Sequence, residues 1–402
     1  MTGLESIMPG WSVDSVLGEG SYGKVFKIKR EFFGDVSYSA LKMIQLPADK
    51  SEIRELQQAG MNEAEIYSYY VDVVKSLLQE IKVMQSLKSA ANVVSIEDYM
   101  VVEGKDKKSW IIFIKMELLE SLPNRLKEYW MPEIEVVKMG MDVCSALIAC
   151  ETLNIIHRDI KLDNIFLNEF GSYKLGDFGI ARKLEGSSNM TSQQGTNMYM
   201  APEVARGEQY DCRVDIYSLG ILMYRLVNDA RFPFMPLAPN PIKFSDKEAA
   251  EEMRLAGNQI PRLESVNKRL MNIILKATQF DKENRYSDAR EMYNDLRLYF
   301  YDVEVAHDSE AHTSGESANG GAGVDEQYLS EPTITDKRAY KSTPPVPNGD
   351  VDDINDLVNT LKSLDNQKRN LSFFRKRKTN SGDDNKSNGG SSDNKEGRWW
   401  KL

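Results

Sequence analysis

The run His157-Arg158-Asp159-Ile160-Lys161-Leu162-Asp163-Asn164 places a carboxylate, a lysine and a carboxamide a few residues apart. A second carboxylate follows in Asp177-Phe178-Gly179. Such groups suffice for chemistry in which a divalent metal is held, phosphate is braced and a hydroxyl is oriented, with little covalent work for the protein. A glycine run, Gly18-Glu19-Gly20-Ser21-Tyr22-Gly23, stands far upstream, and Ala201-Pro202-Glu203 lies downstream. Each feature is weak alone, because aspartates in turns and lysines on strands are mostly structural or solvated, and glycines mark ordinary turns. The weight lies in their conjunction.

These side chains need a frame. Val25-Phe26-Lys27-Ile28-Lys29 largely alternates apolar and cationic residues like a half-exposed strand. The glycine run therefore reads as a hairpin turn, not as the helix-opening turn of a dinucleotide site. Ser37 to Ile44 is a further strand carrying Ala40 and Lys42. The polar run from Ala48 to Asn62 and the tyrosine-rich Ile66 to Tyr70 read as an insertion or an N-terminal extension of the next helix. There Leu77, Leu78, Ile81, Met84 and Leu87 keep helical spacing, and a four-residue step sets Glu80 and Met84 on one face. Glu63 and Glu65 are rival acids on the same helix, where a charge is ordinarily only a solvated face. Trp110 to Met116 is a strand leading into Glu117-Leu118-Leu119. From Pro132 the pattern turns helical, with Val136, Val137, Met139, Gly140, Val143, Ala146, Leu147 and Ala149 on a buried face. Val214 to Val227 is a mostly apolar helix, Leu270 to Ala277 another, and Ala289 to Phe300 the last.

In this order and with these gaps, Gly18 to Val25, Ala40-Leu41-Lys42, His157 to Asn164, Asp177 to Gly179 and Ala201 to Glu203 resemble a eukaryotic-type serine/threonine protein kinase. The likeness covers about residues 11–301. It implies an α+β, bilobal fold: a small β-rich N-lobe with one regulatory helix (11–116), a hinge (117–120) and a larger, mainly helical C-lobe (121–301). ATP and Mg²⁺ are the implied cofactors, and serine or threonine hydroxyls of proteins the implied substrates.

By this resemblance Asp159 accepts or orients the proton of the substrate hydroxyl, and Lys161 offsets charge on the transferring group. Asn164 and Asp177 hold magnesium, while Lys42 braces the α and β phosphates and is held by Glu80. Main-chain amides of Gly18, Glu19, Gly20, Ser21, Tyr22 and Gly23 cover the triphosphate, because residues without a side chain let backbone come close. Val25 and Ala40 belong to the same nucleotide site. Backbone groups of Glu117 and Leu119 take the adenine, with Met116 screening the back of the pocket. Glu120-Ser121-Leu122-Pro123 stands where the family usually has a glycine pair, which leaves the ribose contacts open. The stretch from Met116 to Leu122 looks like bacterial members.

Lys161 and the segment Gly195 to Glu203 resemble the serine/threonine type. Thr196 is expected to contact the catalytic loop, Asp215 to bond that loop's backbone, and Glu203 to pair with Arg285. Arg158 beside Asp159 calls for an anionic partner. A phosphate on Thr191 or Ser192 would provide one, with Ser187 and Ser188 as further sites; the plainer reading is that these hydroxyls keep an exposed loop polar. Every position of the machinery is occupied, so an active enzyme is expected rather than the alternative, a nucleotide-binding pseudokinase-like scaffold recruiting partners through its tail.

Composition bounds the rest. Of 402 residues 41% are hydrophobic, enough for a core, and the net charge of −10 gives no electrostatic case for specific nucleic-acid binding. Cys144, Cys150 and Cys212 form no Cys-x-x-Cys pair and read as reduced thiols. His307 and His312 fall in the tail, leaving His157 alone in the folded part, which argues against zinc. Residues 1–10 are an N-terminal extension without the basic flank and long apolar run of a signal peptide. No stretch approaches the ~20 apolar residues of a membrane span. A soluble, cytoplasmic protein is expected. Residues 302–402 form a mostly disordered tail: 302–336 hold nine acidic residues and no Lys or Arg. Val351, Ile354, Leu357, Val358, Leu361 and Leu364 suggest a short helix over 351–364 that docks on a partner or on the kinase, or forms only transiently. The basic segment 368–378, with Phe373-Phe374 before four cations, reads as a weak contact for anionic surfaces or a solubilising charge run. Trp399-Trp400 has no account.

Overall fold

The computed structural model describes residues 4, 7–20, 23–47, 50–104, 109–178 and 197–313. The described residues from 13 to 313 make one compact unit. Before them, the Ile7 and Met8 amides donate to the Leu4 carbonyl in a turn.

The first half of the compact unit is a five-stranded sheet. Strands β1 (Ser12–Gly20), β2 (Gly23–Phe32), β3 (Asp35–Leu46), β4 (Ile96–Glu103) and β5 (Trp110–Met116) lie in the order β1-β2-β3-β5-β4. β3 is central and antiparallel to both neighbours: Lys42 sits opposite Val25 on one side and Ile114 on the other, and Ala40 opposite Met116. Because side chains alternate in a strand, Ala40 and Lys42 share a face, and that register puts them together in the cleft. Gly23 opens β2 at φ 153°, and a Cβ there would meet the Met43 carbonyl oxygen at 1.8 Å. The close β2–β3 approach below the glycine run thus excludes any side chain.

Between β3 and β4 lie α1 (Lys50–Gln58) and α2 (Glu63–Ser86). The polar run is thus a separate short helix, and the tyrosine-rich piece is the first part of α2. Asn62 and Glu65 form a reciprocal capping box at the start of α2. That accounts for Glu65 and removes it from the contest for a place at the cleft. Ile66, Tyr70, Val74, Leu77, Ile81 and Met84 form its buried stripe. Tyr70 packs on Trp110 and donates to Glu52 of α1 at 3.1 Å, so α1 is stapled to the added turns.

The second half is helical. β6 (Glu120–Ser121), α3 (Leu122–Glu128) and α4 (Glu133–Thr152) precede β7 (Ile165–Leu167) and β8 (Tyr173–Leu175), and β6, β7 and β8 make a small sheet. Then come α5 (Pro202–Ala205), α6 (Arg213–Val227), α7 (Phe244–Leu255), α8 (Lys268–Ala277) and α9 (Ala289–Thr313). α6 is buried almost along its whole length, as an all-round apolar helix must be. Gly220 lets it approach α8, since a Cβ there would meet Thr278 Cγ2 at 2.6 Å and Ala277 Cβ at 2.9 Å. α9 continues to Thr313, past the end expected at Tyr301. Asp302, expected to open the linker, instead pairs with Arg269 of α8. No helix among the described residues is long and apolar enough to cross a membrane.

Candidate active site

The loop between α4 and β7 carries the residues His157 to Asn164 and is held from below by α6. Asp215, buried near the start of α6, accepts from the His157 amide at 2.7 Å and the Arg158 amide at 2.8 Å. Arg158 has φ 67°, a left-handed backbone that a residue with a Cβ adopts only when its surroundings impose it. The two bonds from Asp215 supply that imposition, which is the backbone role anticipated for it. Burial pushes the Asp215 carboxyl up, against the pull of His157 and these amides.

His157 is fully enclosed, and burial holds its imidazole below the usual histidine range. A neutral ring with its proton on Nε2 fits both neighbours: Nε2 lies 3.0 Å from the Gly176 carbonyl, and Nδ1 accepts from the Asp159 amide at 3.3 Å. The ring rests on Phe178, centroids 4.6 Å apart. His157 thus ties the Asp159 loop to the Asp177 loop, and the Gly176 amide adds a bond to the Asn164 carbonyl at 2.9 Å.

On that base the charged groups gather. Asp159 Oδ2 accepts from Asn164 Nδ2 at 2.9 Å and lies 3.0 Å from Lys161 Nζ, while its Oδ1 accepts no hydrogen bond from the described residues. Asn164 Nδ2 also donates to the Asp159 carbonyl at 2.7 Å, which fixes the amide so that its oxygen is left for another partner. Lys42 reaches Asp177 Oδ1 at 2.5 Å. The surroundings desolvate Asp177 and press its pKa up, but Lys42, His157 and Lys161 outweigh them and the carboxyl stays below its usual range. The expected Lys42–Glu80 pair is therefore replaced: Lys42 takes Asp177, and no ion pair joins Lys42 to Glu80, which is half-buried on α2. The physical reason is reach. The rigid β3 register fixes the root of Lys42, and in this placement of α2 the Asp177 carboxylate is the one within bonding distance.

A cleft of about 610 Å³ leads from this cluster to the interlobe link. Gly18, Val25, Ala40, Lys42, Met116, Glu117, Leu119 and Asp177, all anticipated, line it. So do Leu17, Val94, Ile96, Leu118, Asn124, Phe166 and Leu167, which were not singled out from the sequence. Two of these carried a signal: Leu17 immediately precedes the glycine run, and Leu167 lies on the strand just after Asn164. Glu120, Ser121 and Asn124 edge the cleft where the usual glycines are missing. The Glu117 side chain is occupied by the Ser95 amide at 2.6 Å and by Lys174 at 2.8 Å, and its amide donates to the Ser95 carbonyl at 3.2 Å, so its main-chain carbonyl is the group left for a ligand.

Past the cleft, Asn197 to Tyr199 make one turn of 3₁₀ helix. Glu203 and Arg285 pair as anticipated, with two bonds of 2.7 and 2.8 Å in a buried setting. Arg254 of α7, unremarked in the sequence, is buried against that turn. The Arg158 guanidinium lies over Tyr210, 5.6 Å from the ring centre. Ser21, Tyr22, Gly179, Ser187, Ser188, Thr191, Ser192, Gly195 and Thr196 lie outside the described residues, as do the tail segments 351–364 and 368–378 and Trp399-Trp400.

Two lobes are joined by a short link, with Lys42 and Asp177 lining the cleft and the Asp159, Lys161 and Asn164 cluster beside it, which defines a bilobal scaffold. Residues 11–296 match the protein kinase domain, and the chain belongs to the protein kinase family. It is 32% identical over 246 residues to a probable serine/threonine-protein kinase of Clostridium perfringens, covering 60% of this chain and 34% of that protein. It is 35% identical over 169 residues to serine/threonine-protein kinase PknB of Mycobacterium leprae, covering 41% and 26%. It is also 31% identical over 223 residues to serine/threonine-protein kinase 36 of Pongo abelii, covering 54% and 15%. The chain thus spans about a third or less of the length of these relatives.

Proposed function

We propose that the chain transfers the γ-phosphoryl group of ATP to serine or threonine hydroxyls of proteins. The observation that carries this reading is the joining of two groups: Lys42 and Asp177, which line the cleft, and Asp159, Lys161 and Asn164, which the Asn164–Gly176 backbone bond holds next to the Asp177 loop. Asp159 keeps Oδ2 tied to Asn164 and Lys161 and offers Oδ1 to the substrate hydroxyl, orienting it and taking its proton. Lys161, beside it, offsets charge on the phosphoryl group in transfer. Asn164 and Asp177 suit Mg²⁺, an ion that takes a few protein oxygens and leaves positions for water and phosphate. Once bound, Mg²⁺ would supply charge neutralisation on the phosphate oxygens. Lys42, now on Asp177, would turn to the phosphates, and Glu80 would approach it by a shift of α2. Leu17, Val25, Ala40 and Leu167 supply an apolar slot for adenine, with Glu120, Ser121 and Asn124 near the sugar.

Purified chain with labelled ATP and Mg²⁺ should label itself or a generic basic protein. If it labels neither, under several metal conditions, the scaffold reading takes over. Lys42→Ala and Asp177→Ala should each cut labelling at least about 100-fold. Their melting points without nucleotide should stay within about 3 °C of wild type, because a partly exposed ion pair contributes little to stability. Unfolding of both variants would remove the assigned roles.

Autophosphorylation at Thr191 or Ser192, drawing in the exposed Arg158 guanidinium, is the proposed activating step. Mass spectrometry of active protein should find phosphate on the peptide Gly186 to Thr196, and replacing both hydroxyls by alanine should lower turnover while ATP binding persists. Full activity with that peptide unmodified would end this part of the reading. The three cysteines are free, two of them buried, which suits a reducing compartment and supports action in the cytoplasm. The stretch 351–364 is assigned to docking, on the helical spacing of its apolar residues.

A further inference from the structure

Arg254 is only 2% exposed, and its acceptors are all neutral. Nη2 donates to the Asn197 carbonyl at 2.7 Å, and Nη1 to the Met200 carbonyl and, at 3.1 Å, to the Tyr217 hydroxyl. Nε finds no acceptor among the described residues. Burying a guanidinium without a carboxylate partner is costly, and an apolar side chain would fill the place more cheaply if filling were the need.

What the arginine gains is a grip on both ends of one short turn. Asn197 and Met200 bracket the 3₁₀ turn, which closes on itself through the Met200 amide and the Asn197 carbonyl at 3.1 Å. Between them, the Tyr199 carbonyl accepts from Ser218 of α6 at 2.9 Å, and the Tyr199 hydroxyl from Arg225. Three of the turn's carbonyls are thereby held by two rigid helices, α6 and α7, just before Ala201-Pro202-Glu203. The turn belongs to the segment Gly195 to Glu203, which resembles the substrate-binding segment of serine/threonine kinases.

We propose that Arg254 is a positioning residue for the protein substrate: from α7 it clamps the Asn197–Met200 turn in the form that receives the polypeptide, without touching nucleotide. The clamp rests on the phosphotransfer reading above. The Asp159 loop is held separately through Asp215, and the nucleotide cleft contains neither Arg254 nor the turn, so loss of the clamp should spare ATP. Arg254 also lines a cavity of about 230 Å³ with Asn258, Gln259, Gln279 and Phe280, which leaves room for a replacement side chain.

The test is kinetic. Arg254→Met should raise KM for a generic basic protein substrate about tenfold, with KM for ATP and substrate-free ATP hydrolysis within about twofold of wild type. Arg254→Lys, which retains one cationic donor, should recover part of the loss. If Arg254→Met does not fold, Arg254→Gln decides, since it keeps a donor without burying a charge. Hydrogen exchange over residues 197–204 should rise in the variants, and this readout does not depend on activity. An unchanged KM for the protein substrate in a folded variant overturns the proposal, whatever the exchange shows. Wild type that labels no protein would sink the phosphotransfer reading instead, and unchanged exchange in the variants would then refute the clamp on its own.

Discussion

Asp159→Asn is expected to reduce phosphotransfer by about 10²–10⁴-fold, the span attributed to a lost general base. Asparagine matches the carboxylate in size and can still point its oxygen at Asn164 Nδ2 and Lys161 Nζ, which Oδ2 now accepts at 2.9 and 3.0 Å. It then presents an amide NH₂ where Oδ1 stands. That group can neither take a proton nor orient a hydroxyl as its acceptor. The loop itself should persist, because its backbone is held by Asp215 and His157 and not by the Asp159 side chain. ATP affinity and melting temperature should therefore stay near wild type. Turnover of the variant within threefold of wild type, measured with labelled ATP, would remove Asp159 from the role of base.

The second large effect is on stability. Arg285 is wholly buried at its side chain, and Glu203 nearly so. Besides the two bonds to Glu203, Arg285 donates to the carbonyls of Gln279 at 2.7 Å, Phe280 at 3.0 Å and Arg213 at 3.3 Å, and it lies over Tyr217. Removing one partner of such a pair strands the other charge in the interior, which costs about 3–5 kcal/mol. Typical domain stabilities are about 5–15 kcal/mol, so Glu203→Ala should take about a fifth or more of the total. Arg285→Ala should cost at least as much, since it also strands three carbonyls. Urea titrations of both variants give the comparison, and a loss below about 1 kcal/mol in either would mean that water or a neighbour satisfies the stranded group.

The catalytic loop was legible because its groups lie within a few residues of one another. A single turn brings Asp159, Lys161 and Asn164 into contact, so spacing alone constrains them. The β3 face that carries Ala40 and Lys42 was legible for a similar reason: alternation along a strand is a local property. The match to the kinase pattern extended this to Glu203 with Arg285 and Asp215 with the loop backbone, pairs that no local rule connects. Beyond the pattern, residue types left rivals, and only the shared face with Met84 and the likeness of its run to the family's helix favoured Glu80. Glu63, Glu65 and Glu80 are three acids on one helix, and only the capping box at Asn62 disposed of Glu65.

Tertiary structure decided whatever depends on how separate elements approach. The partner of Lys42 follows from where α2 stands relative to β3, and a sequence that fixes each element leaves their separation open; here Asp177 wins and Glu80 does not. Arg254 sits in Glu251-Glu252-Met253-Arg254, which from residue types reads as a solvated helix face. Its burial arises only because α7 packs on the Asn197 turn and on Tyr217 of α6. The end of α9 is a third case. Acidic composition after Tyr301 suggested a linker, yet the helix runs on to Thr313, with Arg269 of α8 opposite Asp302. The sequence by itself determined the local groups and the elements that carry them, because those obey short-range spacing and periodicity. The long-range choice of partner was left to packing, in which burial, reach and the cost of stranding a charge select one contact among several that the residue types allow.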